Sequence, residues 1–377
     1  MAALRRYAGP GVPVHPVVKA DAYGHGAVPV ARTLEAAGAD GFCVAAYDEA
    51  AALRRAGIRR PILVLYPVPA AWAAEAARRR IAVTAGDLDL LESLLVAIPE
   101  ARSRLPLRVH LEVETGLGRG GLRPPELLEA AERIEAAPGA RLDGLWTHLQ
   151  AAEDRAGTAA QLERFEAATA ALREAGIRLP PRHVAASGAL VQDGVVAYDG
   201  VRPGLSIYGL LPDELLAVVD PAVAASLRPV LSLHARPVRV ADLPAGWGIS
   251  YGPTFRTTRA SRIATLPFGY GDGWPRSLSN QAEALVRGRR VPLVGTVAMD
   301  AVMADVTEVP GPPVTPDDEF VLLGRQGSAE ITAAELARRR TTNSWETVTS
   351  LSARLPRVYH RPSGPEGIRT LVSGGIG

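Results

Sequence analysis

Lysine is nearly absent from this chain. Of its 42 lysines and arginines only Lys19 is a lysine. A solvated cation, an ion-pair partner or a helix cap can be supplied by either side chain, and arginine fills those places throughout. Guanidinium keeps its proton near neutral pH, whereas a desolvated amine can lose it and attack a carbonyl. The one retained lysine is therefore a candidate Schiff-base nucleophile; the competing reading is that arginine-biased coding left a single lysine by chance.

Other scarcities narrow the field. Cysteine occurs once, as Cys43, so an intrachain disulfide is excluded and a reduced compartment fits; within Gly41-Phe-Cys-Val-Ala45 it reads as a small buried apolar residue. The formal net charge is only +2, and the arginines are interspersed with acids, which gives no field for nucleic acid. No apolar run reaches the roughly 18 residues of a membrane span, and no apolar segment follows the charges of Met1-Ala-Ala-Leu-Arg-Arg-Tyr7 to make a signal peptide. The seven histidines are scattered without the i, i+4 or cysteine-paired spacing of a metal site. These absences lead us to expect a cytoplasmic enzyme without a bound metal and without a nucleic-acid or membrane partner.

With 377 residues the chain is long for a single core, and two domains are expected. From position 12 to about 210, short apolar runs alternate with longer stretches of helical period. Candidate strands end in Val18-Lys19, Phe42 to Ala45, Ile62 to Leu65, Ile81 to Val83, Val109 to Val113, Leu145 to His148, His183 to Ala185 and Val201-Arg202. Segments such as Val28 to Ala37, Asp48 to Ala56, Pro125 to Ala137 and Ala159 to Ala175 suit crossover helices. Eight such units describe a (β/α)8 barrel over 1–222, with a doubly wound sheet as the alternative. Beyond it, short runs separated by Gly, Pro and Asp without helices predict a mostly β domain over 223–377, interrupted by one helix at Ala333 to Arg340.

In such a barrel, reactive groups gather at the C-terminal ends of the strands. Lys19, Tyr23, Arg119, His148, Ser187 and Arg202 all fall there. Gly116-Leu-Gly-Arg-Gly-Gly121 fits a dinucleotide-binding glycine pattern, but the acid expected after the next strand is missing, and the glycines also suit an arginine that approaches a bound anion. Ala186-Ser-Gly188 lacks the first glycine of a hydrolase nucleophile elbow.

Assembled, the motifs Pro16-Val-Val-Lys-Ala-Asp-Ala-Tyr-Gly-His-Gly26, Thr147-His148, Val201-Arg-Pro-Gly-Leu-Ser-Ile-Tyr-Gly209, Ser250-Tyr-Gly252, Gly269-Tyr-Gly-Asp-Gly273 and Met299-Asp300 resemble the alanine racemases over nearly the whole chain. The resemblance implies a pyridoxal-phosphate enzyme, a (β/α)8 barrel with a C-terminal β domain, and a homodimer with shared active sites. It implies that Lys19 holds the cofactor and acts as base on the D side of the substrate, while Tyr251 from the partner subunit acts on the L side. Arg202 resembles the arginine facing the pyridine nitrogen, to which it can donate without protonating it. His148 and His183 resemble the histidines that orient Arg202 and tune Tyr251. Tyr23, Ser187, Gly204 and Leu205 resemble the phosphate contacts, and Arg119 with the Met299 amide the clamp on the substrate carboxylate. Tyr270 and Asp300 resemble residues of the substrate entrance.

The chain also departs from that pattern. Glu112 stands where many members carry a lysine that becomes carbamylated; a glutamate supplies the negative charge for Arg119 directly. Ala186 replaces an asparagine and Ala353 a tyrosine, and both open space around the substrate. Family members usually carry about twenty residues before the first matching block, including a strand of the β domain, so the resemblance implies either a start upstream of Met1, the favoured reading, or an unpaired sheet edge. The implied role is supply of D-alanine for peptidoglycan. Three alternatives follow: a racemase for serine or another small amino acid; an amino-acid decarboxylase of the same fold, against which Arg202 and the lack of a C-terminal cysteine argue; and a non-enzymatic cofactor-homeostasis barrel, against which residues 221–377 argue.

Overall fold

A computed structural model describes residues 1–98, 105–192, 197–361 and 364–371. Contacts divide the chain into two units, Met1–Leu227 and Arg228–Gly377. Among the described residues no helix is long and apolar enough to cross a membrane.

In the first unit six parallel strands lie in sequence order: β1 (Phe42–Val44), β2 (Ile62–Val64), β3 (Ile81–Ala85), β4 (Leu107–Glu112), β5 (Ala140–Trp146) and β6 (Arg182–His183). The runs Phe-Cys-Val, Ile-Leu-Val and Ile-Ala-Val-Thr-Ala are buried along their whole length, as strands covered on both faces must be. Cys43 lies on β1, a free and buried thiol, and burial pushes its pKa up to about 12. Helices recur between the strands at Ala27–Ala36, Tyr47–Arg55, Ala73–Arg78, Leu88–Val96, Pro124–Ala136 and Arg155–Glu174. The sequence sets their starts. Asp87 and Asp154 cap two of them through Leu90 N and Gly157 N, and Pro124 opens another while Glu126 reaches back to the Arg123 amide.

The first and last of the eight expected strands are extended segments held by single bridges. Val17 pairs with Cys43, Val14 with Val201, and Arg202 with Ala186, all parallel, which closes the ring around the six-stranded sheet. The physical reason is proline: Pro13, Pro16 and Pro203 lack the N–H a longer ladder needs. Only their carbonyls take part, receiving the amides of Val201, Cys43 and Val17.

Directly after the Val17 bridge the backbone enters a left-handed turn. Ala20, Asp21, Ala22 and Tyr23 all have φ between 51° and 55°, a conformation that costs roughly 1–2 kcal/mol per residue. Local bonds hold it: Ala22 N to Val18 O (3.0 Å), Gly24 N to Ala20 O (3.0 Å) and Gly26 N to Asp21 O (2.8 Å). The Asp21 carboxylate accepts from Ala27 N, and Glu49 accepts from Ala20 N at 2.6 Å.

In the second unit an eight-stranded sheet runs β16-β15-β12-β13-β14-β11-β8, with β7 also on β15. Its members are β7 (Leu233–Ala235), β8 (Arg239–Leu243), β11 (Ser261–Leu266), β12 (Glu283–Val286), β13 (Arg289–Val294), β14 (Val302–Asp305), β15 (Phe320–Gln326) and β16 (Ala329–Ile331). The helix Ala333–Arg340 follows, capped by Thr332 on Glu335 N. A separate hairpin, β9 (Gly248–Ile249) with β10 (Phe255–Arg256), carries Ser250-Tyr-Gly252 at its tip.

Gly121, which ends the glycine loop after β4, has φ +118°, and a Cβ there would stand 2.6 Å from Glu114 N. Gly121→Ala is therefore expected to lower stability by about 2 kcal/mol. Urea denaturation of the two proteins measures it, and an unchanged midpoint would show that the loop does not need glycine.

Candidate active site

β4 alternates strictly in burial: Leu107, Val109 and Leu111 are fully buried, while Arg108, His110 and Glu112 form the other face. The partners of these three residues lie on neighbouring strands and on the loop after β4. Glu112 Oε1 is 3.5 Å from Arg119 Nη2, His110 Nδ1 is 2.9 Å from His183 Nε2, and Arg108 Nε donates to Asp143 at 2.6 Å. Burial raises the Glu112 pKa while Arg119 draws it down. The ring of Tyr66 covers the Arg119 guanidinium from 5.5 Å, a contact that the sequence did not single out.

Arg202 is only 2% exposed. Its Nη1 donates to His183 Nδ1 (2.5 Å) and His183 O (2.5 Å), and its Nη2 to Thr147 O (2.9 Å) and Val184 O (3.3 Å). Every one of these acceptors is neutral. The guanidinium also lies 4.9 Å from the centre of the Trp146 ring. Burial lowers the Arg202 pKa to about 10, which leaves it charged at neutral pH. Burial, then Arg202, drives His183 far below its ordinary value. His148 falls to about 3, through burial first and then the Arg202, Arg119 and Lys19 charges; both imidazoles are neutral at pH 7.

Lys19 stands where the left-handed turn begins. Burial lowers its pKa, the Arg119 charge lowers it further, and Glu49 opposes both. Glu49 was missed in the sequence. Its only local sign is its place three residues after the cap of helix Tyr47–Arg55, where it accepts from Ala45 N and Ala46 N.

The turn tucks Tyr23 inward until it is 8% exposed; a Cβ on Gly204 would come within 2.7 Å of its Oη. Burial raises the Tyr23 pKa to about 12, so it is a neutral hydroxyl. Ser187 Oγ accepts from Gly204 N (2.8 Å) and Ser206 N (3.2 Å), and Ser206 Oγ lies 3.1 Å away. Hydroxyls and amides thus converge at the Gly204-Leu205-Ser206 turn in the manner a phosphate requires. Ser206 was not among the expected contacts, although it lies in the same motif. Ala186, with no polar side chain, precedes Ser187 in extended conformation.

Gly116-Leu-Gly-Arg-Gly-Gly121 does not offer its amides to a dinucleotide. The Gly116 and Gly118 N–H groups donate to the Glu114 carboxylate. A cavity of about 710 Å³ lies beside this loop, and several of its polar groups are bonded to one another or to the backbone. Arg164 donates to Thr115 O, and Gln161 to Thr115 Oγ1 and His148 O. Size alone does not make it the reactive centre.

The remaining expected residues belong to the second unit. Tyr251 is 77% exposed at its hairpin tip, Met299 51% and Tyr270 42%. Ser250 Oγ donates to Thr296 O at 2.6 Å, while Tyr270 N and Gly271 N donate to Ala298 O and Met299 O, so the loops bearing Tyr251, Tyr270 and Met299 are bonded into one surface. Arg354, next to the exposed Ala353, clamps Asp272 with two hydrogen bonds and pairs with Asp300 at 2.7 Å.

Comparison with known proteins agrees over both units. Residues 1–212 match the N-terminal domain of alanine racemase and residues 230–359 its C-terminal domain. An alanine racemase of Symbiobacterium thermophilum is 44% identical over 349 residues, 91% of this chain and 89% of that one; one of Halothermothrix orenii is 39% identical over 364 residues, 96% and 93% of the two chains. The crystal structure of the Bacillus anthracis alanine racemase with bound L-Ala-P superposes with a TM-score of 0.88 at 32% identity, covering 98% of this chain and 96% of that one. The Streptomyces coelicolor enzyme gives 0.84 at 37% identity, with 95% and 94% covered. With both domains matched in order along the chain, this protein belongs to the alanine racemase family.

Proposed function

We propose that the chain interconverts L- and D-alanine with pyridoxal phosphate, as a cytoplasmic homodimer that supplies D-alanine for peptidoglycan. The observation that carries this reading is the buried Arg202, whose partners are all neutral. Such a group can donate one hydrogen bond to a pyridine nitrogen and keep its own proton, which suits proton exchange at one carbon better than chemistry that needs a strong electron sink.

Bound pyridoxal phosphate would supply the aldehyde that takes up the amino group and the conjugated ring that acidifies the α-carbon. The chain's residues fit it. Ser187, Tyr23 and the Gly204 and Leu205 amides hold the phosphate, with Ser206 beside them, and Arg202 meets the ring nitrogen. Lys19, its amine made available by burial and by Arg119, holds the aldehyde and then exchanges a proton on one face of the α-carbon. Tyr251, delivered by the partner subunit, exchanges a proton on the opposite face, and inversion needs one base on each face. Arg119 and the Met299 amide bind the substrate carboxylate. Glu112 orients Arg119 without a carbamate, and His148 and His183 fix Arg202 and Tyr251. Tyr270 and Asp300 line the entrance.

With pyridoxal phosphate and L-alanine, D-alanine is expected to accumulate to near equality by chiral chromatography, and Lys19→Arg to be inactive; an adduct band without D-alanine would overturn the substrate assignment. If the sites are shared, Lys19→Ala and Tyr251→Phe proteins, each dead alone, regain about a quarter of native activity when dissociated and remixed, since half the dimers are mixed and each holds one intact site. No recovery would place Tyr251 in its own subunit's site or outside any site. Because lysine occurs once, 13Cε-lysine labelling gives a single side-chain resonance. In the cofactor-free protein it is expected to titrate below the ordinary 10.5, and Arg119→Ala to move the midpoint up; a midpoint at or above 10.5 would contradict the proposed nucleophile.

A further inference from the structure

Behind Arg202 the polar line continues past His183 into two groups, His110 and Asp143, that the proposed reaction does not use. His183 Nε2 lies 2.9 Å from His110 Nδ1, and His110 Nε2 lies 3.5 Å from Asp143 Oδ2. Asp143 also accepts from Arg108 Nε (2.6 Å) and Arg141 Nη2 (2.5 Å), and its pKa is driven well down by His110 and the two arginines in spite of burial. It is an ionised acceptor at the end of the line.

The direction of the chain follows from donor chemistry. A guanidinium can only donate, so the His183 Nδ1 that faces Arg202 Nη1 must be a bare lone pair. The proton of the neutral ring is then on Nε2, and it points at His110 Nδ1, which must in turn be unprotonated. His110 carries its proton on Nε2, toward the Asp143 carboxylate. The reverse polarity would set an N–H against the guanidinium.

A second observation shows that the backbone makes room for this line. On β5, next to Asp143, a side chain at Gly144 would run into His110 Nδ1 and Cε1. The strand gives up a side chain at the position where the two imidazoles meet.

We propose that Asp143 is a positioning residue for Arg202: its carboxylate ends a one-way donor chain, Arg202 to His183 to His110 to Asp143, that locks both imidazoles as Nε2–H tautomers and keeps the His183 lone pair on the guanidinium. Its consequence for turnover rests on the reading of Arg202 as the partner of the ring nitrogen; the tautomers do not.

Long-range 1H–15N correlation of 15N-histidine-labelled protein, without cofactor or substrate, reads both rings, with His110→Gln and His183→Gln to assign them. Both are expected as neutral Nε2–H forms at pH 7, and an Nδ1–H form or an imidazolium at either would overturn the chain whatever the variants do. Asp143→Ala is expected to give His110 a mixed tautomer and to lower kcat for alanine about tenfold, with KM changed less than twofold, since one hydrogen-bonded charge is lost at a distance from the substrate. Asp143→Asn keeps an acceptor oxygen and should restore most of both. Arg141→Ala breaks an exposed ion pair to the same carboxylate and should change neither. If it reproduces the Asp143→Ala losses, or if Asp143→Ala leaves tautomers and kcat intact, Asp143 only holds the arginines. Native tautomers in a protein that makes no D-alanine would sink the functional reading and leave the chain standing.

Discussion

A guanidinium buried among neutral acceptors is the constraint around which the barrel is built. Charge inside a protein is costly unless it is paired or hydrogen-bonded, and the two Nη groups of Arg202 meet that demand with no carboxylate among their acceptors. Four acceptors from His183, Thr147 and Val184 take its N–H groups, and the Trp146 ring lies close by. Those acceptors come from the ends of β5 and β6, so the two strands must end together at this depth. Thr147 is held in turn by Thr115, 2.7 Å away, which Gln161 also contacts.

The same constraint explains where the backbone is irregular. The segment bearing Arg202 cannot be a long strand, because Pro203 follows it; one bridge to Ala186 and one through Val201 to Val14 suffice to place it. Beside it, the Val17 segment ends in a left-handed turn whose strain is offset by the Glu49 and Asp21 carboxylates. Strained backbone survives only where the surroundings over-determine it. Here it starts the turn at Lys19 and brings Tyr23 under Gly204 within five residues.

Much of this was legible in the sequence, for reasons that can be named. Continuous apolar runs mark β1, β2 and β3, which are buried along their whole length, β4 shows a period-two pattern instead, and 3.6-period segments mark the helices at Ala27–Ala36, Tyr47–Arg55, Pro124–Ala136 and Arg155–Glu174. The solitary Lys19 draws attention to the residue at which the left-handed turn begins, where burial and Arg119 lower its pKa. Val18 and Val201 look like strand residues, so sequence pattern alone predicts flanking strands; the neighbouring prolines prevent a ladder there. His110 was set aside as one scattered histidine, although the period-two pattern of Arg108, His110 and Glu112 on an otherwise apolar strand marks one inward polar face. Asp143 and Tyr66 carry no local signal, and Glu49 shows only its capping place in the first turn of its helix, since their meaning arises from neighbours distant in the chain.

The electrostatics of the first unit lead to a last point. Arg119 lowers the pKa of Lys19, and Arg202, Arg119 and Lys19 together lower that of His148, so these three cations share one field. Glu112 and Glu49 act against them, but Glu112 is bound up with Arg119 and Glu49 with backbone amides. Such a cluster is short of negative charge by its own construction. A phosphate dianion and a substrate carboxylate would make good that deficit. Until they arrive the same field keeps the Lys19 amine more readily deprotonated, which is the state that attacks a carbonyl. Binding of the anions would then raise its proton affinity, opposing the shift that burial and Arg119 impose.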